Sequence, residues 1–171
     1  MQTNKTARGL PNKPARVLPW RRILVPTDFS KTSLRAFDVA VPLARDCGAR
    51  LCLLSVIEPA AYATGLEGLV IAVPDTMLVR DARAGLPRLA RRFVPSAIPV
   101  TCWVKRGKAF DVITEVAQQK NIDLIVLASH GRTGFDRVLM GSTAERVVRH
   151  ARCPVFVVRA SHPNHGKQPK D

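Results

Sequence analysis

The residues best suited to chemistry lie in one run, Ala128-Ser-His-Gly-Arg-Thr-Gly-Phe-Asp-Arg-Val-Leu-Met-Gly-Ser-Thr143. Gly131 and Gly134 let a backbone turn tightly or approach a ligand closely. Gly141-Ser142-Thr143 then opens a helix, and Ser142-Thr-Ala-Glu145 reads as a capping box, with Ser142 at the N-cap and Glu145 three residues on. A helix start offers unpaired N–H groups and the positive end of a dipole, which suits a phosphate. Arg132 and Arg137 add positive charge beside it. The plainer alternative is a capped helix after a glycine-containing turn, with no ligand at all.

A second candidate is Pro26-Thr-Asp-Phe-Ser30. Asp28 could accept a hydrogen bond from a ribose hydroxyl or an adenine amino group. It could also cap the following helix jointly with Ser30, and the two roles are compatible. No G-x-x-x-x-G-K-[ST] occurs, so there is no P-loop lysine, and Pro26–Ser30 is not a G-x-G-x-x-G turn. His130 has no nucleophile–base pair around it, so no catalytic residue is assigned. His150 suits the dipole at a helix end. Cys47, Cys52, Cys102 and Cys153 form no Cys-x-x-Cys pair; Cys52 and Cys102 are expected to be small buried residues in a reducing compartment. His162 and His165 alone do not make a zinc site, and no metal ligands are assigned.

These segments need elements to hold them. Ile23-Leu-Val-Pro-Thr-Asp28 reads as a short buried strand ending at Thr27 or Asp28. Ser30 can cap a helix bearing Leu34, Phe37, Val41 and Ala44, kinked at Pro42 and closed by a left-handed Gly48. Arg50–Ile57 is a near-continuous apolar strand, the pattern of a strand covered on both faces. Residues 58–74 carry Pro59, Gly65, Gly68 and Pro74 and are expected to form a loop or lid. Thr76–Phe93 reads as a helix weakened by Pro87, and Ile98–Val104 as a third strand. Phe110, Ile113, Val116 and Ala117 mark a helix ending near Asn121. Leu124–Ala128 is a strand, Ser142–Ala151 a helix, and Val155–Val158 the last strand.

That alternation predicts an α/β domain over residues 21–160: a doubly wound, five-stranded parallel sheet in the order 3-2-1-4-5 with helices on both faces. In such sheets ligands bind outside the carboxyl ends of the strands, where the strand order reverses, and both candidate segments fall there. No internal repeat is visible.

Apolar residues make up 46% of the 171, enough for a core and too many for wholesale disorder. No apolar run approaches the roughly 20 residues of a membrane-spanning helix, and the first 22 residues lack a secretory hydrophobic stretch. The chain reads as soluble and cytoplasmic, with no membrane partner. Its net charge is +14, of which residues 1–22 contribute six positives and no acid, residues 161–171 a net +1, and residues 23–160 the remaining +7. Residues 1–20 read as a disordered basic arm and 161–171 as a flexible tail. Such an arm can bind nucleic acid through counterion release, or simply solubilise the chain.

The chain resembles the universal stress proteins. The features that carry the resemblance are Ile23-Leu-Val-Pro-Thr-Asp28, Leu53-Leu-Ser-Val-Ile57, Val104-Lys-Arg-Gly107, and Asp123–Arg159 almost throughout. ATP-binding members share a G-x2-G-x9-G-[ST] pattern; here it is Ala128-x2-Gly131-x9-Gly141-Ser142, departing only at Ala128, whose extra methyl bears on how tightly a nucleotide fits. The resemblance implies adenine and ribose contacts at Pro26, Thr27, Asp28 and Val56, and backbone contacts from Leu127, Ala128 and Gly131. It implies phosphate contacts at Gly141, Ser142 and Thr143, with Arg132 and Gly134 in the same loop. The implied cofactor is ATP, accompanied by Mg²⁺ or Mn²⁺, and the implied function a stress-response regulatory module with slow or no hydrolysis. A homodimer through Val155–Val158 is expected, because that strand lies at a sheet edge without charge; the resemblance points the same way. Two alternatives stand beside this reading. One is a nucleotide-dependent phosphoryl or adenylyl transferase or hydrolase, against which count the missing lysine and the single acid, Asp136, of the phosphate loop. The other is a nucleic-acid-associated adaptor working through the basic arm.

Overall fold

The computed structural model describes residues 20–58, 75–129 and 140–159. Strands and helices alternate: β1 (Arg22–Pro26), α1 (Lys31–Leu34), α2 (Ala36–Cys47), β2 (Arg50–Ile57), α3 (Asp75–Phe93), β3 (Val100–Arg106), α4 (Ala109–Gln119), β4 (Leu124–Ala128), α5 (Ser142–His150) and β5 (Val155–Val158). The strands form one parallel sheet in the order β3-β2-β1-β4-β5. This is the expected doubly wound α/β fold. The basic arm, the 59–74 stretch and the tail lie outside the described residues, so the expectations for them are not addressed by the fold.

Both faces of the central strands are buried, which is why they read as continuous apolar runs. Ile23, Val25, Leu51, Leu53, Leu124 and Val126 face one side, where Phe37 and Ala40 of α2 and Leu86 of α3 cover them. The residues between them, Leu24, Cys52, Leu54, Ile125 and Leu127, face the other side beneath Val112 and Val116 of α4 and Val147 of α5. Each fully buried leucine or isoleucine in these layers contributes about 1.5–3 kcal/mol. The start of β1 is pinned from below: the N–H groups of Arg21 and Arg22 both donate to Asp123 Oδ2, each at 2.8 Å.

Three expectations need correction. The first helix is not a single one but is divided at Arg35, and α2 runs on through Pro42. At the division Arg35 N–H donates to Thr32 O and Asp38 N–H to Arg35 O, each at 3.1 Å, a tightened i→i+3 pattern. Buried Phe37, Ala40 and Ala44 hold α2 against the sheet on either side of the missing proline donor. Cys102 is only half-buried, because β3 is an edge strand, whereas Cys52 in β2 is 1% exposed. The third correction concerns the start of α5 and belongs to the site. Gly48 does adopt the left-handed conformation, φ 63 and ψ 30, that closes α2. No helix among the described residues is long and apolar enough to cross a membrane.

Candidate functional site

Because β1 is flanked by β2 on one side and β4 on the other, successive connections leave it in opposite directions and a crevice opens above it. A cleft of about 610 Å³ occupies this position. Pro26, Thr27 and Asp28 line it from the end of β1, Val56 from β2, Leu127 and Ala128 from β4, and Gly141, Ser142 and Thr143 from the start of α5. Every site residue selected from the sequence that falls among the described residues is therefore brought to one cavity. Gly131, Arg132 and Gly134, with His130, Asp136 and Arg137, lie outside the described residues.

The turn after β1 is built by its own side chains. Thr27 N–H donates to Leu54 O at 2.8 Å, continuing the ladder by one residue. Ser33 Oγ donates to Ser30 O at 2.9 Å, so the 3.0 Å contact between Thr27 Oγ1 and Ser33 Oγ has the threonine hydroxyl as donor. Thr27 Oγ1 also accepts from Phe29 N–H at 3.1 Å. The hydroxyl of Thr27 thus holds the loop together. Asp28 Oδ1 accepts from Ser30 N–H at 3.0 Å, and Ser30 Oγ accepts from Ser33 N–H at 3.1 Å, so the expected joint capping of the first helix is present. Phe29, between them, adopts φ 64, a left-handed conformation uncommon for a bulky residue.

The electrostatics follow from which helix ends are capped. Ser30 caps α1. The N-cap residue of α4, Lys108, makes no side-chain cap; instead Glu58, just past β2, accepts from Ala109 N–H at 2.7 Å. The N-terminus of α5 has no side-chain cap among the described residues. The predicted capping box does not form: Gly141, with φ −59 and ψ 146, is the N-cap, and Ser142 is the first residue inside the helix. Gly141 N–H is drawn to Ser129 O at 2.7 Å, and Glu145 N–H closes on Gly141 O at 3.0 Å, which starts the helix one residue early. Glu145 then pairs with Arg149 at 2.8 Å rather than reaching back. Three carboxylates, Asp28, Glu58 and Asp81, line the cleft, and no described lining residue is a lysine or arginine. The positive potential available there among the described residues is the open end of α5.

Universal stress proteins are the family whose model matches residues 19–159. This chain belongs to that family. Among its relatives is universal stress protein MJ0531 of Methanocaldococcus jannaschii, 31% identical over 142 residues that span 82% of each chain. The solved structure of the universal stress protein UspA from Lactobacillus plantarum is 32% identical and superposes with a TM-score of 0.66, over 82% of this chain and 98% of that one. A universal stress protein solved in complex with cAMP shares the fold, with a TM-score of 0.59 at 22% identity, over 84% of this chain and 99% of that one.

In this universal stress protein Ala128, the departure from the glycine pattern, sits buried at the last position of β4 beside Val158. Sequence reasoning missed Phe29, Glu58, Asp81 and Gly85, all of which line the cleft. A signal for Glu58 existed: Arg106-Gly-Lys108 offers α4 no capping side chain, so one has to come from elsewhere. Gly85, a glycine inside a long helix, likewise marks a close approach. His150 Nδ1 meets Arg146 O at 2.8 Å at the far end of α5, where a helix-end histidine was expected.

Proposed function

We propose that the cleft binds ATP and that the protein is a nucleotide-responsive regulatory module of the stress response. The observation that carries this reading is the contrast between helix ends: α1 and α4 are capped by side chains, and α5, opening into the same cleft as Asp28, has no cap among the described residues. Uncapped N–H groups of a first helical turn are where a phosphate gains most. Pro26, Val56, Ile113 and Leu127 supply an apolar wall for adenine, and Asp28 an acceptor beside the ribose. Ser142 and Thr143 hold the phosphate end; Gly141, whose N–H is already donated to Ser129 O, contributes by having no side chain. Arg132 and Gly134 complete this end in the sequence pattern. The relative solved with cAMP supports an adenine nucleotide as the ligand class.

Mg²⁺ or Mn²⁺ would enter with the triphosphate and neutralise its charge. Turnover is slow or absent in this reading, because the described lining offers no cation aimed at a transferring phosphoryl group. The protein works as a homodimer joined through β5. Gly141→Val tests the nucleotide site. Its φ of −59 and ψ of 146 suit any residue, so the variant should fold, while the branched side chain enters the phosphate path. Calorimetric titration should show ATP binding at least tenfold weaker, and turnover by the wild type below roughly 1 per second. Unchanged ATP affinity in the folded variant would end this reading.

A further inference from the structure

We propose that the outward face of α3 is a docking surface for the phosphodiester backbone of a nucleic-acid duplex. α3 carries Arg80, Arg83, Arg88, Arg91 and Arg92, all exposed, against two acids, Asp75 and Asp81. At 3.6 residues per turn, Arg80, Arg83 and Arg91 share a sector about 80° wide, with Arg88 about 60° beyond it. On another side of the helix Ala82 and Leu86 are buried, 3% and 0% exposed, in the contact with the sheet. Asp81 lines the cleft instead of the arginine sector. The ion pairs among the described residues join Arg35 to Asp38, Arg45 to Asp46 and Arg149 to Glu145, so no carboxylate neutralises the α3 arginines there. Arg106, exposed at the end of edge strand β3, continues the row of Val100, Cys102 and Val104 on the face that α3 covers.

Phosphate is the anion this array fits. Guanidinium groups are planar, weakly hydrated and permanently charged, and they bind phosphate through paired N–H donors. From Arg80 to Arg91 the helix rises about 16 Å, the axial length of about five base pairs of duplex. An anionic membrane fits less well. The apolar stripe of α3 is used in the core, and its one exposed large apolar residue is Met77 in the first turn, so no apolar face remains for insertion. The sector has no exposed ring on which single-stranded bases could stack, which favours a duplex bound without regard to sequence. The cleft and the basic sector occupy different sides of one helix, and this inference does not depend on the nucleotide reading.

The test uses the full chain and fluorescence anisotropy with a labelled DNA duplex of about 20 base pairs, between about 50 and 200 mM salt. The Arg80→Gln/Arg83→Gln/Arg91→Gln variant is compared with a Lys5→Gln/Arg8→Gln/Lys13→Gln/Arg16→Gln variant of the N-terminal arm. The wild type should bind, and the α3 variant should bind at least tenfold more weakly at the lower salt. Its slope of log affinity against log salt should fall by about 2.7, roughly 0.9 for each lost phosphate contact. Circular dichroism melting checks that each variant is folded. The proposal is overturned by a wild type that does not bind duplex, or by an unchanged salt slope in the α3 variant. It is equally overturned if the arm variant alone abolishes binding, or if phosphatidylserine vesicles bind in an α3-dependent way while duplex does not.

Discussion

The ring of Phe29 lies so close over Gly85 that a Cβ built at position 85 would stand 2.8 Å from Phe29 Cε1 and 3.1 Å from Cζ. This contact joins the turn after β1 to α3 across one wall of the cleft. It also explains two local oddities together. Phe29 takes a left-handed φ of 64 within the turn built by Thr27 and Ser33, and Gly85 interrupts a 19-residue helix at the position the ring requires. The conformational cost at each residue is offset by a packing that places Asp28 at the cleft.

Gly85→Ala therefore runs against the usual direction. In an exposed helix interior the change stabilises by about 0.5–1 kcal/mol. Here the new methyl must displace an aromatic ring, and overpacking of that kind costs about 1–3 kcal/mol. The expected net result is a loss of about 1 kcal/mol in urea unfolding, with weaker ATP binding as the turn carrying Asp28 shifts. A variant more stable than the wild type would show that the ring moves aside freely.

Cys52 gives a pH prediction. Burial pushes its thiol up from 9.0 to about 11, with Arg50 and Arg22 pulling it back and Cys102 adding a small further rise. Below about pH 9 the thiol is protonated in the folded and unfolded chain alike, and the stabilisation is fully present. As pH rises toward 11 the unfolded chain ionises first, so this stability is lost through that window. Thermal melts of the wild type should fall more steeply with pH between about 9 and 11 than those of Cys52→Ala. Parallel slopes would contradict it. Iodoacetamide at mildly alkaline pH should leave Cys52 unmodified until the protein unfolds.

What the sequence made legible divides along physical lines. β2 and β4 were readable to the residue because strands buried on both faces write uninterrupted apolar runs, as in Leu124-Ile-Val-Leu-Ala128, and β5 because its four residues are all apolar although it lies at an edge. Their order followed from the alternation with helices, and that order located the crevice. The glycine pattern, Asp28 and the resemblance to universal stress proteins then picked out the candidate residues, and those among the described residues line the cleft. Contacts between segments far apart in the chain were not readable. Ser142 looked like a cap because the pull of Ser129 O on Gly141 N–H is invisible in the local pattern. Glu58 serves a helix about 50 residues away, and Phe29 rests on Gly85 in another element. The division of the first helix at Arg35 was not readable either, whereas α2 continues through Pro42 with Phe37, Ala40 and Ala44 packed on the sheet.

The two edges of the sheet are built differently, and the difference leads to the last prediction. β3, at one edge, ends in exposed Lys105 and Arg106, charges that discourage another strand from pairing there. β5, at the other edge, pairs among the described residues only with β4 and holds no charged residue from Val155 to Val158. Phe156 on this strand is 48% exposed, a large ring left at the margin of the core. A second copy related by a two-fold axis would pair antiparallel with β5, satisfy its outer N–H and C=O groups, and cover both Phe156 rings at once. Sedimentation of the wild type at micromolar concentration should show a dimer. Neither Phe156 nor Val157 lines the cleft; Phe156→Lys and Val157→Lys place a charge on either face of the edge, and each should give a folded monomer that still binds ATP. Because the lysines could act by unfolding the strand, dichroism melting accompanies the sedimentation. A wild type that sediments as a monomer, or folded lysine variants that remain dimeric, would rule out β5 as the interface.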